Sequence, residues 1–228
     1  MTETATQSAA VDTGEKDTLA GRIYHDIKRR ILEGTIATGE SLSETQLAAD
    51  AGASRTPLRV ALARLEQEGV ITRLANGTLA VQPVTVEQLL NIVQLRRLLE
   101  GAAAGRAAEL LRDNGLTPAL MAARGVMQAY ADGAATAFDE FWRHDDDFHM
   151  AVAHAAGLTL WPAMLAELRE TARRCTITRT HDRFTDQARE HLAVILAIES
   201  GEADTARAAM EAHFVSVRTR FLEWLSRS

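Results

Sequence analysis

Three histidines and one aspartate in the second half of the chain have the residue types and the helical spacing of a divalent-metal site. Asp145 and His149 are four residues apart, so on a helix their side chains project from one face, one turn apart. His191 and His213 each share a helical face with apolar residues, so both imidazoles should point inward from their helices. Imidazole nitrogens and a carboxylate oxygen suit Zn²⁺, Ni²⁺ or Mn²⁺. Spacing alone leaves open the alternative of separate core histidines, each hydrogen-bonded within the core.

A second group of residues has the chemistry of a helix that lies against DNA. Within residues 54–66, Arg55 and Arg59 lie four apart with Thr56 beside them, and Ser54 is placed to cap the helix. Leucines at positions 58, 62 and 65 recur at the spacing of a buried stripe on another face. Such a helix would pack through its leucines and present its arginines to phosphates and base edges. The alternative is an ordinary amphipathic helix with two solvated arginines.

The residues just before this helix predict a helix-turn-helix. Ser43 and Gln46 are spaced as a capping box, in which the Gln46 side chain reaches back to the cap, so a short helix should run from Glu44 to about Ala51. Gly52 is expected to end that helix. A helix, a glycine-containing turn and a second helix with exposed arginines form the motif whose second helix enters the major groove.

Residues 70–81 predict a β wing behind the second helix. Strands are expected over residues 70–74 and 79–81, joined at Asn76 and Gly77, a pair favoured in turns between antiparallel strands. The candidate DNA contacts are therefore polar residues at the starts of the two helices, in the second helix and at the tip of the wing: Ser43, Thr45, Ser54, Arg55, Thr56, Arg59, Asn76 and Gly77.

The elements that must position these residues divide the chain into three parts. Residues 1–17 are small, polar and acidic and predict a disordered N-terminal tail, and residues 18–83 predict a winged helix-turn-helix domain. Residues 84–228 show helical periodicity and predict an all-α bundle of about six helices, so the fold class is mainly α with a small β wing. The fourth of these helices should end near Thr180, and the six should begin near Val86, Thr117, Thr136, Leu160, Thr185 and Asp204.

The charge of the chain is concentrated outside the part predicted to read DNA. The 228 residues carry a net charge of −6, yet residues 18–83 hold eight basic and seven acidic side chains. A unit so weakly positive should bind DNA modestly by itself, which favours two units in a dimer.

The single cysteine, Cys175, excludes an intrachain disulfide, and the sequence has neither a signal peptide nor an apolar run of membrane length. A cytoplasmic location without membrane attachment is expected.

Residues 42–48, 54–59 and 61–70 resemble the DNA-binding domain of the GntR family of bacterial transcriptional regulators. The resemblance spans roughly Leu19 to Val81, and it implies a winged helix-turn-helix that binds a double-stranded, palindromic DNA operator. One departure concerns the wing, because the tip at residues 75–78 lacks the arginine that the family often places before the glycine.

Residues 145–149, 190–203 and 208–213 resemble the effector-binding domain of the FadR subfamily, often called FCD, and in length its shorter VanR-like branch. Asp145, His149, His191 and His213 match its four metal-ligand positions, and Arg96 matches an arginine of its effector pocket. The resemblance implies a homodimer joined through the helical domain and a small organic acid effector held at the metal ion.

The combined prediction is a sequence-specific DNA-binding regulator that is not an enzyme, with repression relieved by a small carboxylate as the commoner family behaviour. A metal-dependent hydrolase or isomerase is one alternative, although no separate general base or nucleophile can be paired with the four residues. A metal-free regulator that responds to an acyl-CoA is another, although it would more naturally lack the histidines. Among further basic residues, Arg169, Arg173 and Arg174 could line the pocket, although most of them are predicted to be solvated.

Overall fold

The structure is a computed structural model, and it describes residues 18–175 and 183–226 of the chain. The predicted disordered tail, residues 1–17, lies outside the described residues. The chain divides into two compact units that meet between Pro83 and Val84. Across the described ranges there are nine helices and one small three-stranded sheet, which confirms a mainly α fold with a β wing.

The three helices described in the N-terminal unit share one core. In chain order its described elements are α1 (Leu19–Leu32), β1 (Ser41–Leu42), α2 (Glu44–Asp50), α3 (Arg55–Gln67), β2 (Ile71–Arg73) and β3 (Leu79–Val81). The side chain of Thr18 caps α1 by accepting the Gly21 amide at 2.9 Å. The predicted leucine stripe of α3 is buried, with Leu58 and Leu65 at 0% exposure, because it packs against the isoleucines of α1. This packing turns the opposite face of α3 to solvent.

The wing is a three-stranded antiparallel sheet in the order β1-β3-β2. The predicted pairing of β2 with β3 is confirmed, and the pairing brings Arg73 opposite Leu79. The connection is longer than a two-residue Asn-Gly turn, because the Leu74 amide donates to the Thr78 carbonyl at 2.8 Å and closes a five-residue loop. Gly77 has a φ of 84°, which a glycine adopts readily. The two-residue strand β1 was not predicted, since it is too short to show an alternating pattern.

The capping box predicted at the start of α2 forms only in half. The Ser43 hydroxyl accepts the Gln46 amide at 3.3 Å, but the Gln46 side chain donates to Asp50 Oδ1 at 2.7 Å instead of reaching back. Gln46 and Asp50 are four residues apart on one helical face, so a local partner is within reach. A complete capping box is found at Thr85 and Gln88, where the C-terminal unit begins.

The C-terminal unit contains six helices among its described residues, as predicted. They are α4 (Val86–Leu111), α5 (Pro118–Ala131), α6 (Phe138–Ala155), α7 (Trp161–Arg173), α8 (Phe184–Glu199) and α9 (Ala203–Leu225). The fourth of them, α7, ends at Arg173 and does not continue to Thr180 as predicted, because the chain turns at Arg174 and Cys175; residues 176–182 lie outside the described part. In the regions that the structure describes, no helix is long and apolar enough to cross a bilayer.

The long helix α4 packs against α6, α7, α8 and α9. Small residues allow its closest contact with α9, because a Cβ added at Gly105 would lie 3.0 Å from the Ala203 carbonyl oxygen. Four alanines of α4 are completely buried beside it: Ala103, Ala104, Ala107 and Ala108. Because α4, α6, α8 and α9 surround one core, residues that face inward from each of them can meet.

Candidate functional site

The four predicted metal ligands lie together in the core of the C-terminal unit. Asp145 and His149 come from α6, His191 from α8 and His213 from α9, and none of the four is more than 4% exposed. One ring nitrogen from each histidine can be chosen so that the three atoms lie within 4.8 Å of one another. Three helices therefore bring three imidazoles close enough to share one cation.

The Asp145 carboxylate lies beside two of these imidazoles and is held by two other side chains. Its Oδ1 atom is 3.3 Å from His191 Nε2 and 3.8 Å from His149 Nε2. Gln187 donates to Oδ1 at 2.9 Å, and Arg169 donates to Oδ2 at 2.5 Å. The carboxylate is therefore fixed in orientation, with Oδ1 directed at the histidine cluster.

The donor set fits a divalent cation. His191 Nε2 is buried and has no hydrogen-bond partner among the described residues, although it faces the Asp145 carboxylate. Buried nitrogen atoms without a partner are uncommon because they lose water without a replacement. A cation between His191 Nε2 and Asp145 Oδ1 would satisfy both atoms, and imidazole with carboxylate is a donor combination that Zn²⁺, Ni²⁺ and Mn²⁺ accept.

The charges around the cluster favour the protonation states that bind a metal ion. Burial, together with the nearby Arg169, lowers the pKa of His149 well below its usual value, and burial beside His213 lowers the pKa of His191 to about 3. Burial by itself would raise the pKa of Asp145, but Arg169 and the two imidazoles outweigh burial and hold this pKa well below its usual value. Near pH 7 His149 and His191 are therefore neutral and Asp145 is ionised, as metal coordination requires.

The predicted effector residue, Arg96, lines the same cavity as three of the candidate ligands. Its guanidinium lies 4.8 Å from the centre of the Phe214 ring, its Nε atom donates to Glu100 Oε1 at 2.7 Å, and its Nη2 atom is buried without a hydrogen-bond partner in the described chain. The cavity, which Asp145, His149 and His213 also line, measures only about 20 Å³, room for about one water molecule. An organic acid therefore needs the surrounding aromatic and aliphatic side chains to move.

The prediction of mostly solvated arginines is wrong for Arg169. Arg169 is only 2% exposed, and its guanidinium lies between Asp145 and Asp146 and donates to both. In the N-terminal unit, Tyr24 is likewise buried and donates its hydroxyl hydrogen to Glu68. Both side chains are amphipathic, and a charged or hydroxyl-bearing partner inside the protein removes the need for water.

Further residues around the histidine cluster were missed by the sequence reasoning. Gln187 is four residues before His191, so the helical spacing of α8 carried a signal for it. Glu100, Glu190 and Met127 approach the histidines from neighbouring helices, and no local spacing reveals such contacts.

The eight predicted DNA contacts are all on the surface of the N-terminal unit. Arg55 and Thr56 stand in the first turn of α3 and Arg59 one turn later. Within the part of the chain that the structure describes, both Arg55 and Arg59 are exposed and neither has an ion-pair partner. Guanidinium groups on the exposed face of a helix, near its N-terminus, are available for phosphates and base edges.

The polar side chains around α3 differ in how free they are. Ser54 occupies the N-cap position of α3, but its side chain makes no capping hydrogen bond, so its hydroxyl is available to a partner. Ser43 is engaged with the Gln46 amide, and Thr45 is exposed on α2. At the wing tip, Asn76 Oδ1 accepts the Thr78 amide at 3.0 Å and so serves the loop itself.

Comparisons with known proteins match both units of the chain to known domains. Residues 19–81 match the family described as bacterial regulatory proteins, gntR family, and residues 91–216 match the FCD domain. The chain is 25% identical over 199 residues to the HTH-type transcriptional repressor RspR of Escherichia coli (strain K12), with 86% of both chains covered. It is 28% identical over 163 residues to the Nta operon transcriptional regulator of Aminobacter aminovorans, covering 70% of this chain and 74% of that relative.

Solved structures share the fold. E. coli McbR/YncC superposes with a TM-score of 0.71 at 20% identity and covers 91% of this chain and 99% of its own. A GntR regulator from Rhodococcus sp. RHA1 gives a TM-score of 0.70 at 18% identity, with 90% and 97% covered. The FCD match spans more than half of the chain and the gntR match covers the winged unit. The chain therefore belongs to the GntR family of bacterial regulatory proteins and is a DNA-binding transcriptional regulator of the FCD type.

Proposed function

We propose that the protein is a repressor whose affinity for a palindromic operator is controlled by a small organic acid bound, together with a divalent metal ion, in the C-terminal unit. The observation that carries the proposal is the convergence of three buried imidazoles beside Asp145, with His191 Nε2 lacking a hydrogen-bond partner among the described residues. A buried cluster of this kind is costly for a fold and is most simply explained by a cation.

The metal ion would be held by Asp145, His149, His191 and His213. When bound, an ion such as Zn²⁺, Ni²⁺ or Mn²⁺ supplies open coordination positions for a carboxylate ligand. The free Nη2 atom of Arg96 lines the same cavity and would hold another oxygen of the same ligand. The small volume of the cavity favours small acids, and it also means that binding must displace neighbouring side chains.

The DNA-binding half of the proposal rests on the exposed face of α3. Arg55, Thr56 and Arg59 would contact the major groove, with Ser43, Thr45 and Ser54 on phosphates and with Asn76 and Gly77 at the wing. Residues 18–83 carry eight basic and seven acidic side chains, which is too little positive charge for strong binding by one unit. A homodimer, joined through residues 84–228, would place two winged units on half-sites about 34 Å apart.

Regulation requires that the acid bind two arrangements of the dimer with different affinity. The name of RspR, a transcriptional repressor, supports repression as the sign of control. A cytoplasmic location, where the operator is accessible, follows from the proposed role. No role is assigned to residues 1–17.

The proposal is tested by measuring metal content and operator binding on one preparation. Operators are selected from genomic fragments, and a panel of small carboxylates is screened by thermal shift with and without EDTA. We expect about one divalent ion per chain and an acid that raises the melting temperature only when the metal is present. A protein that binds operator but holds no divalent ion at the cluster would overturn the metal-dependent part.

A further inference from the structure

Two carboxylates, one buried on α4 and one partly buried on α8, each connect one candidate ligand histidine to an arginine. Glu100, on α4, contacts His149 Nδ1 with Oε2 and accepts a hydrogen bond from Arg96 Nε with Oε1 at 2.7 Å. The Glu100 and His149 side chains are each 1% exposed, so this contact is fully shielded from water.

The second connection has the same order of groups on other helices. Glu190, on α8, contacts His213 Nδ1 with Oε2 at 2.8 Å. Arg220, on α9, donates to both oxygens of Glu190, at 2.7 and 3.0 Å. This fork-to-carboxylate pairing fixes the plane of the Glu190 carboxylate and keeps its charge paired.

The two contacts determine which ring nitrogen carries the proton. An ionised carboxylate can only accept hydrogen bonds, so the Nδ1 atoms of His149 and His213 must be the donors. In a neutral imidazole the other nitrogen, Nε2, then has a free lone pair. The lone pair of a histidine ring is what a metal ion binds, and a carboxylate on the opposite nitrogen makes the ring a stronger donor.

We propose that Glu100 and Glu190 are positioning residues of the metal centre, which hold the Nδ1 protons of His149 and His213 and so present both Nε2 atoms to one cation. The inference rests on the proposed metal site. It assigns Arg96 a second task, because its Nε atom orients Glu100 while its Nη2 atom is free for the effector.

His191 has a different kind of support. Its Nδ1 atom faces the thioether sulfur of Met127 at 3.3 Å, and its ring stacks on Phe148 with centroids 4.2 Å apart. A thioether is a weak acceptor, so packing orients His191 more than hydrogen bonding does. The two carboxylate-supported histidines should therefore determine most of the metal affinity that depends on orientation.

The proposal is tested by competition of the protein with a chromophoric chelator for Zn²⁺. E190Q and E100Q should each bind Zn²⁺ about 10–100-fold more weakly than the wild type, the range found when outer-shell partners of metal ligands are removed. The matched control is E199Q, because Glu199 ends the same helix as Glu190 and pairs with Arg124 at the surface. M127L, which preserves volume next to His191, should change the affinity by less than either carboxylate variant.

A second measurement works without metal and separates this inference from the proposed function. In ring-labelled protein, ¹⁵N spectra distinguish protonated from unprotonated imidazole nitrogens. The metal-free wild type should show Nδ1 protonated and Nε2 unprotonated for His149 and His213, and E190Q should lose this preference at His213. Circular dichroism verifies that the variants are folded. If E190Q does not fold, R220K replaces it: lysine offers Glu190 a single nitrogen in place of the two-nitrogen fork of Arg220, so R220K should show a smaller change in the same direction.

The outcomes are distinct. Wild-type protein that binds no Zn²⁺ but shows the expected tautomers contradicts the proposed metal function and leaves the role of the carboxylates in orienting the rings intact. Folded E190Q and E100Q that bind Zn²⁺ as tightly as the wild type contradict the positioning role, as do wild-type spectra in which Nε2 carries the proton.

Discussion

Arg169 donates a hydrogen bond to Asp145 at 2.5 Å, so the one carboxylate among the candidate metal ligands already has a cationic partner inside the protein. Arg169 also contacts Asp146, and its guanidinium is almost completely buried. A metal ion at the histidine cluster would therefore share Asp145 with a permanent positive charge. The stability of the metal-free protein and its affinity for metal should consequently be linked through this residue.

Replacing Arg169 tests that link. R169M should destabilise the metal-free protein by about 3–5 kcal/mol, because it leaves Asp145 buried without its main partner. Addition of Zn²⁺ should recover more stability in R169M than in the wild type, since the metal supplies the missing positive charge. Urea unfolding with EDTA and with Zn²⁺ measures both effects. R173M is the control on the same helix, because Arg173 pairs with Asp146, forms no ion pair with Asp145 within the described residues, and is partly exposed. An equal loss of stability with and without Zn²⁺ would argue against a shared Asp145.

The exposed face of α3 is tested through Arg59. R59A should weaken operator binding by about 1–3 kcal/mol if the guanidinium contacts a base, and should leave the melting temperature unchanged because Arg59 has no described partner in the fold. Fluorescence anisotropy with labelled operator measures the affinity. R124A, a surface arginine in the C-terminal unit, is the control. Unchanged affinity in R59A would remove this residue from the interface.

The sensing role of the cluster is tested through His191. H191A should bind operator like the wild type in the absence of the acid but should lose the response to it, because the metal site loses one of its ligands. The measurement is a titration of the protein–operator complex with the acid identified by thermal shift. A variant that still responds normally would place the effector elsewhere.

The buried histidines predict a pH dependence of the metal-free protein. Burial and the neighbouring His213 lower the pKa of His191 in the folded state to about 3, whereas an unfolded histidine has its usual pKa near 6.5. Below pH 6.5 the unfolded state therefore binds more protons than the folded state, and stability should fall as the pH decreases. Urea unfolding in EDTA between pH 7.5 and pH 5 separates this effect from the carboxylates, which titrate lower. The free energy of unfolding of H191Q should fall less steeply with decreasing pH than that of the wild type. The same slope in both proteins would contradict a neutral buried His191.

Contacts between residues close in sequence could be predicted, whereas contacts between residues far apart in sequence could not. The pairing of Asp145 with His149 follows from their spacing on one helix, and the leucine stripe of α3 follows in the same way. Spacing also indicated that His191 and His213 point inward from their helices, but it left separate core histidines as an alternative, and the family resemblance implied that they join that pair. Spacing within a helix gives the direction of a side chain but not the helix that it meets.

The missed residues illustrate the same limit. Glu100 meets His149 across 49 residues of sequence, and Glu190 meets His213 across 23. Arginine is a residue type usually found at the surface. Only the position of its two aspartate partners in the folded chain reveals that Arg169 is buried. The number and order of the described helices in the C-terminal unit were predictable because periodicity is local. The connections that orient the ligands were not, because they depend on how α4, α8 and α9 pack.

In the proposed function, a metal ion at the histidine cluster is required for a small acid to control DNA binding. The most direct measurement is the operator dissociation constant with and without the acid, for Zn²⁺-loaded protein, for EDTA-treated protein and for H191A. We expect the acid to change the dissociation constant about 5–150-fold in the loaded protein, the usual range of coupling between two sites, and to leave the other two unchanged. An acid that changes operator binding equally in all three preparations would contradict the account.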